Sequence, residues 1–204
     1  MHHSGLPPAV NWAMIVLCVG GAAVAAAGFL GSRTAARRLD RYGGQGSELF
    51  HLVMLAAMAV MGNQWSEALS ATRWRQLFGA LAIASLLWLI AGTRGRPGER
   101  EHRIGAALYH CVAALSMVYA TLGSPTAASG HAHHAATDHT ADLPCPMLGW
   151  LLAGVFLLDA LVAAAAVIRP PGGVESTRRR LVVTVFPHLA MDIAMTAMLV
   201  ASLA

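Results

Sequence analysis

The segment around which this sequence is organised is HLAMDIAMTAM, residues 188–198. An earlier segment, HLVMLAAMAVM at residues 51–61, has the same spacing, so both read His-x2-Met-x3-Met-x2-Met. A third segment keeps part of this pattern, because Met117 follows His110 at the same interval while alanines occupy the other two positions. On a helix that turns by about 100° per residue, positions +3, +7 and +10 lie within about 80° of the histidine. The repeat therefore predicts helices with a narrow stripe of imidazole and thioether side chains.

The composition is typical of a polytopic membrane protein. Of the 204 residues, 56% are hydrophobic and 12% are charged, and the mean hydropathy is +0.56, which is outside the usual range for a soluble domain. The net charge of +4 comes from arginines in short linkers between apolar runs, which indicates membrane topology and argues against nucleic-acid binding. Three scattered cysteines do not indicate a disulfide framework.

Six apolar runs are long enough to cross the ~30 Å hydrocarbon layer as helices. We therefore predict an all-α polytopic membrane helix bundle, a single domain over residues 1–204, with spans at about 9–32, 46–63, 75–92, 104–122, 146–168 and 181–203. The first run is kept as an anchor because residues 1–8 lack the basic start of a cleaved signal peptide. Basic linkers follow the first, third and fifth spans, so the positive-inside rule predicts a cytoplasmic (inner) membrane protein with both termini outside.

The second, fourth and sixth spans run in the same direction and carry the intramembrane histidines, His51, His110 and His188. They also carry seven of the ten methionines. His110 and His188 follow their basic linkers by similar intervals, so we expect them at similar depth, and His51 matches that depth when its helix starts near Gly44. Around one axis, these helices would bring the three imidazoles to one level, with methionine sulfurs further outward.

Imidazole and thioether together favour copper, above all Cu(I), because soft thioethers discriminate against magnesium, calcium and manganese and add little for zinc. Because these ligands are neutral, burying a monovalent ion among them costs less free energy than burying a divalent ion. The predicted ligands are His51, His110, His188, Met54, Met58, Met117, Met191 and Met195. Asp192 is predicted to accept a hydrogen bond from an imidazole and so to orient that ring. Its alternative role is an interhelical hydrogen bond or ion pair. Helix packing is the alternative reading of the methionines, and a structural partner is the favoured role of Asp159.

The longest loop, residues 124–144, is rich in histidine and is expected on the outer face. Its candidate metal ligands, which are accompanied by Asp138 and Asp142, are His131, His133, His134 and His139. Such a loop can gather divalent copper or zinc. Histidine-rich disordered loops without a function are also common. Its expected position beside the outer ends of the methionine stripes favours a loop that gathers copper for the intramembrane site.

The whole-chain pattern of six alanine-rich spans, His/Met stripes and a histidine-rich outer loop resembles an uncharacterised actinobacterial family of small integral membrane proteins. More locally, Met54-x3-Met58 and Met191-x3-Met195 are similar to the Met-x3-Met motif by which trimeric Ctr copper transporters line their pore. That resemblance implies that these methionines pass or hold Cu(I). Ctr proteins have three spans per subunit, and the histidines below the methionines depart from their pattern, which favours a holding site over an open pore.

Three functions remain open from the sequence. The first is a copper-binding protein of the lipid bilayer that acquires, moves or stores copper at the outer face of a cytoplasmic membrane, as a homo-oligomer or with a copper-accepting partner protein. The second is a membrane redox protein that holds haem b between histidines, or a related copper enzyme. The third is a structural partner whose histidines only bridge helices. No P-loop is present, so ATP hydrolysis is not predicted, and we lean against an enzyme.

Overall fold

The computed structural model describes residues 8–31, 44–62, 69–92, 97–122, 144–168 and 175–203. Within these residues the chain forms six α-helices, which confirms the predicted all-α class. They are α1 (Pro8–Gly31), α2 (Gly44–Met61), α3 (Ala71–Gly92), α4 (Pro97–Leu122), α5 (Pro146–Ile168) and α6 (Glu175–Leu203).

Five of these helices are long and apolar enough to cross a membrane, so the chain is a multi-pass membrane protein by length and composition. The exception is α2, whose apolar part, Gly46–Met61, is shorter than the other five. The whole of α2 has 18 residues, which corresponds to about 27 Å of helix. Its polar first turn lowers its hydropathy, and the sixth predicted span therefore stays a prediction.

Three helices extend beyond the predicted membrane spans at their N-terminal ends. The spans were predicted to begin at about residues 75, 104 and 181, whereas the helices that contain them, α3, α4 and α6, begin at Ala71, Pro97 and Glu175. The basic linkers before α4 and α6 are therefore partly helical. Hydropathy marks where apolar side chains begin, whereas backbone hydrogen bonding continues through arginine and glutamate, which are good helix formers. Proline at the first position of α4 is compatible with this start.

The helices pack as three consecutive hairpins, α1 with α2, α3 with α4, and α5 with α6. The second helices of the three hairpins, α2, α4 and α6, also contact one another pairwise. Together they form the centre of the bundle, as the shared direction of the histidine-bearing spans led us to expect. Helices α1, α3 and α5 lie outside this central triangle.

The outer helices bury one narrow face each. On α5 this face consists of small residues and one aromatic residue, namely Gly149, Ala153, Phe156 and Ala160, while Leu157 and Leu161 are exposed. On α3 the buried face consists of Trp74, Phe78, Ala82 and Ser85. In a bilayer these exposed apolar faces would contact lipid, as would exposed residues of the central helices such as Leu115 of α4.

Gly21 of α1 lies at a close approach of α1 to two of the central helices. A Cβ at this position would lie 2.9 Å from the Cβ of Ala190 in α6 and 3.0 Å from Cδ1 of Leu55 in α2. Only a residue without a side chain allows α1 to lie in the groove between α2 and α6 at this distance. Gly21 therefore fixes the position of the first helix against the central triangle.

Candidate functional site

The three predicted histidines meet in the centre of the bundle. The ring of His51 in α2 lies 4.7 Å from that of His110 in α4 and 5.6 Å from that of His188 in α6, measured between ring centroids, with edge-to-face geometry in both pairs. His110 is 1% exposed and His51 is 9% exposed, whereas the His188 side chain is 27% exposed. We refer to these three residues as the imidazole cluster.

The common depth of the imidazole cluster depends on where α2 begins. The helix starts at Gly44, which is the start that the alignment of His51 with His110 and His188 required. His51 is thereby one turn beyond Ser47, on the face of α2 that looks toward α4. The position of the three rings thus follows from helix register and from the pairwise packing of α2, α4 and α6.

Ser47 holds two of the three imidazoles. The His51 ring is hydrogen-bonded to the backbone of Ser47 one turn earlier, and the Ser47 hydroxyl lies 3.1 Å from Nε2 of His110. A backbone carbonyl only accepts, so the His51 nitrogen bonded to it carries the proton. Because Nε2 of His51 has no partner among the described residues, Nδ1 makes this bond and Nε2 keeps its lone pair in the neutral ring.

Two ring nitrogens of the imidazole cluster are buried without a hydrogen-bond partner among the residues that the structure describes. They are Nε2 of His51 and Nδ1 of His110. Buried polar atoms are nearly always paired, because an unpaired one costs about 1–3 kcal/mol. Both nitrogens are ones that neutral imidazole can offer to a metal ion as a lone pair. The arrangement can therefore accept an ion or a proton donor at this position.

Tyr109 lies beside all three imidazoles. Its ring lies 4.3 Å from that of His188, 5.4 Å from that of His110 and 6.4 Å from that of His51. Its hydroxyl donates a hydrogen bond to Oδ1 of Asp192, one turn beyond His188 in α6. Tyr109 thus connects the imidazole cluster to a carboxylate that has no exposed surface.

Two carboxylates flank His188. Its Nε2 lies 2.9 Å from Oδ2 of Asp159 in α5 and 3.5 Å from Oδ2 of Asp192 in α6. One ligand atom from each of these three residues lies within 4.8 Å of the other two. We refer to them as the Asp159–His188–Asp192 group. Asp159 therefore has the interhelical partner that its place in an apolar span led us to expect, and Asp192 lies beside the imidazole that it was predicted to orient.

Aromatic rings cover the imidazole cluster on the side of α3. Phe50 stacks on His110 at 5.1 Å, and Trp88 of α3 stacks on Phe50 at 5.6 Å and lies 6.2 Å from His110. Phe50 directly precedes His51, just as Tyr109 directly precedes His110. In both cases the aromatic residue contacts the histidine of the next central helix, so Phe50 of α2 meets α4 and Tyr109 of α4 meets α6.

The predicted methionine ligands are all buried. Each has 0% exposure and belongs to the apolar core with Phe78, Phe156 and Leu199, and they are Met54, Met58, Met117, Met191 and Met195. Met61 and Met198, at the outer ends of the stripes, are partly buried against the same core. The burial fits both readings of the stripes, as helix packing and as sulfur ligands. The four predicted loop ligands, His131, His133, His134 and His139, lie outside the described residues.

Comparison with known protein families gives one match. A sequence model described as a domain of unknown function, DUF5134, matches residues 43–202. The chain belongs to the DUF5134 family. The matched region contains α2 to α6 and therefore every residue of the imidazole cluster and of the Asp159–His188–Asp192 group, while α1 precedes it. No curated protein and no solved structure matches the chain.

Within the DUF5134 region the structure adds residues that sequence reasoning did not identify as part of the site. Ser47, Phe50 and Tyr109 were not predicted, although each lies within four residues of a predicted histidine. A serine one turn before an intramembrane histidine could have been predicted to belong to the site, because the two residues lie on the same face of the helix and are close enough to bond to the same groups. Trp88 gives no such signal, since it lies on α3, far in sequence from all three histidines, and reaches the cluster only through the packing of α3 on α4.

Proposed function

We propose that this protein is a copper-binding integral membrane protein that holds or passes copper through the imidazole cluster. The observation that carries the proposal is the meeting of His51, His110 and His188 from the three central helices, with two buried nitrogens left without hydrogen-bond partners among the described residues. Ionisable groups inside a membrane bundle usually mark a pathway or a bound partner, because they are costly to bury alone.

The ring separations are compatible with imidazoles that share a metal ion. Two imidazoles that bind one ion through nitrogens at about 2.0–2.1 Å have ring centres roughly 5 Å apart, by simple geometry from the bond length. The observed 4.7 and 5.6 Å separations lie on either side of that value. His51 would bind through Nε2 and His110 through Nδ1, with the Ser47 hydroxyl accepting from Nε2 of His110. Among the described residues, Asp159, His188 and Asp192 form the trio whose ligand atoms lie within 4.8 Å of one another, so the three imidazoles would have to rotate to share one ion.

Copper is the metal that best suits these donors. Imidazole suits copper, zinc, iron and nickel, and the buried methionines near the imidazole cluster select copper among them because thioether sulfur is a soft ligand. The cluster is enclosed by Phe50, Trp88 and Tyr109, so a neutral set of ligands around a monovalent ion carries the smallest desolvation cost. Met54 and Met191, one turn beyond His51 and His188, are the sulfurs closest in sequence to the cluster.

The topology belongs to the same proposal. Six spans with both termini outside the cytoplasmic membrane leave the arginine-rich linkers after α1, α3 and α5 inside, as the positive-inside rule requires. The loop at 124–144 then lies on the outer face, where His131, His133, His134 and His139 gather copper ions and pass them to the intramembrane site. Copper would leave through transfer to a partner protein or along a gradient, since the sequence has no P-loop.

Two other readings are less well supported by the packing. Haem b between two histidines requires a gap for the macrocycle, whereas His51 is in ring contact with both His110 and His188. A purely structural role explains Asp159 and His188 as an interhelical ion pair. It does not explain why His51 and His110 each leave a buried nitrogen without a partner among the described side chains.

Metal analysis of the purified protein tests the proposal. We expect wild-type protein in detergent to retain copper. His51→Ala, His110→Ala and His188→Ala should each lower the copper content. No sample should show the intense Soret band of haem. The matched control is Ser116→Ala, which removes a buried polar group of α4 that, within the described part of the chain, bonds to Val112 of its own helix. Equal copper content in the wild type and all three histidine variants would refute a shared copper site.

Replacing all four loop histidines with alanine tests the gathering step separately. If the loop only delivers copper, the substituted protein loads more slowly at limiting copper but reaches the same final stoichiometry. The measurement is the time course of copper uptake by purified metal-free protein. A lower final stoichiometry with an unchanged rate would instead make the loop a storage site and contradict its role as a feeder.

A further inference from the structure

The Asp159–His188–Asp192 group differs in chemistry from the rest of the candidate site. It offers two carboxylates and one imidazole, whereas His51 and His110 offer imidazole nitrogen alone. Carboxylate oxygens are hard ligands that suit divalent ions, and they add nothing for Cu(I), which prefers nitrogen and sulfur. One ion cannot use both sets of donors equally well.

We infer that the Asp159–His188–Asp192 group is a second metal position, beside the imidazole cluster, that takes a divalent ion of the zinc type. Zinc binds imidazole nitrogen and carboxylate oxygen at about 2.0–2.2 Å and accepts three protein ligands with one open position. The three donor atoms, within 4.8 Å of one another, need only a small contraction to meet that geometry. This inference rests on the proposed function only through His188, which both positions share.

Asp192 shows that the group is incomplete with protein partners alone. It is 0% exposed, and its Oδ1 accepts from Tyr109, but its Oδ2 makes no hydrogen bond to any described residue and lies 3.5 Å from Nε2 of His188. His51, which is more than nine-tenths buried, also contacts the His188 ring and leaves Nε2 without a partner among the described residues. A buried carboxylate oxygen beside a ring nitrogen is the arrangement that a cation completes.

Asp159 supplies a second, independent argument. It lies near the middle of α5, a 23-residue apolar helix, and its side chain is 42% exposed at the edge of the face that packs on α6. A half-exposed carboxylate at this depth would face hydrocarbon in a bilayer, which is unfavourable unless the charge is compensated. A single imidazole, that of His188, cannot neutralise the charges of both Asp159 and Asp192. A divalent ion between them balances two carboxylates at once.

Tyr109 is the positioning residue of this second position. Its hydroxyl donates a hydrogen bond to Oδ1 of Asp192, and this bond orients the carboxylate so that Oδ2 faces His188. Hydrogen bonds that orient metal-ligating carboxylates typically change metal affinity by about 10–100-fold when they are removed. Tyr109→Phe should therefore weaken binding of the divalent ion while leaving the imidazole nitrogens of His51 and His110 in place.

The test compares two metals across two sets of variants in the full chain purified in detergent. Zinc affinity is measured with Zn(II) alone by competition with a chromophoric chelator, and copper affinity with Cu(I) alone under anaerobic conditions. We expect Asp159→Asn and Asp192→Asn to lower zinc affinity by at least about tenfold and to lower Cu(I) affinity by much less, because for Cu(I) the two carboxylates only orient His188. His51→Ala and His110→Ala should do the reverse, and His188→Ala should lower both affinities.

The matched control is Glu48→Gln, which makes the same carboxylate-to-amide change on α2, where Glu48 contacts Gly28 of α1. Retained Cu(I) binding shows that an aspartate variant is folded. Zinc affinity that is unchanged in both aspartate variants, or absent from wild type, would overturn the second position and leave the copper proposal standing. Parallel loss of both metals in all five variants would mean a single shared site and would overturn it as well. Zinc binding that follows the prediction without any Cu(I) binding would overturn the copper proposal alone.

Discussion

Tyr109 of α4 donates a hydrogen bond to the carboxylate of Asp192 in α6, which has no exposed surface. Tyr109→Phe removes the donor and leaves the Oδ1 atom of Asp192 buried without this partner. We expect the free energy of unfolding to fall by about 1–3 kcal/mol, the usual cost of a buried acceptor that loses its bond. The measurement is reversible denaturant unfolding in mixed micelles.

Tyr119→Phe is the control on the same helix, because the Tyr119 hydroxyl donates to the carbonyl of Cys145 at the exposed end of α5. Water can replace a donor there, so the loss should be smaller than for Tyr109→Phe. Equal losses in the two variants would show that burial of Asp192 has no special cost.

Ser47→Ala tests how the two buried imidazoles are oriented. The substitution removes the hydroxyl 3.1 Å from Nε2 of His110 but keeps the backbone that holds His51. If His110 binds copper through Nδ1, the loss of this bond should lower copper affinity by about tenfold, in the range found for groups that orient metal ligands. Chelator competition measures the change, and Ser85→Ala, which removes a buried serine bonded within α3, should have no effect. An unchanged affinity in Ser47→Ala would contradict the assigned nitrogen.

Trp88 provides an optical test of where copper binds. Its ring lies 6.2 Å from that of His110, whereas Trp74 stacks on Phe78 instead. Cu(II) quenches indole emission at short range, so its addition to wild-type protein should quench part of the fluorescence. That quenched part should be missing in Trp88→Phe and present in Trp74→Phe. Quenching that persists unchanged in Trp88→Phe would locate the bound ion away from His110.

Gly21 and Gly20 form a matched pair for the packing of α1. A Cβ at Gly21 would lie 2.9 Å from Ala190, whereas a Cβ at Gly20 would lie 3.8 Å from the nearest atom of Phe186, an ordinary contact. Gly21→Ala should therefore lower the free energy of unfolding by about 1–3 kcal/mol, the cost of overpacking. Gly20→Ala should be neutral or stabilising, because alanine favours helix. Denaturant unfolding of both variants measures the difference, and equal effects would contradict the close approach.

Cys145 tests the proposed topology. It is exposed just before α5, while Cys18 is buried, so a variant with Cys18→Ala and Cys111→Ala keeps a single reactive thiol. With both termini outside, Cys145 lies on the outer face, and a membrane-impermeant maleimide should label it in intact cells. Labelling that requires permeabilised membranes would reverse the topology and would separate the histidine-rich loop from the outer face.

The meeting of the three histidines could be predicted from the sequence, because it depends on the direction in which each helix crosses the membrane and on the position of the histidine along it. His51, His110 and His188 lie on spans of one direction at similar distances from their basic linkers, and packing of those spans around one axis brings them together. The helix starts were less predictable, since hydropathy does not report where Pro97 or Glu175 begins a helix. Composition identified the membrane class because it reports apolar side chains. For the same reason it does not report the polar turns that precede the apolar part of a helix.

The contacts between helices could not be predicted from periodicity. A helical repeat gives the face on which His110 lies but not the rotation that places Tyr109 beside three imidazoles or Trp88 over Phe50. The roles of the methionines are also undetermined by spacing, because a sulfur ligand and a packed side chain are buried alike. Asp159 illustrates the limit best, since its place in an apolar span indicated a partner, and only the packing of α5 on α6 identifies that partner as His188.

The contacts of Phe50 with His110 and of Tyr109 with His188 have a consequence for how the protein matures. Each aromatic residue and the histidine that it contacts come from different hairpins, so no hairpin contains a complete pocket when it enters the bilayer. The final helix brings both His188 and Asp192, and it is synthesised last. Under the copper proposal, metal acquisition therefore follows insertion of the entire chain, and a truncated nascent protein would be unable to trap an ion from the cell.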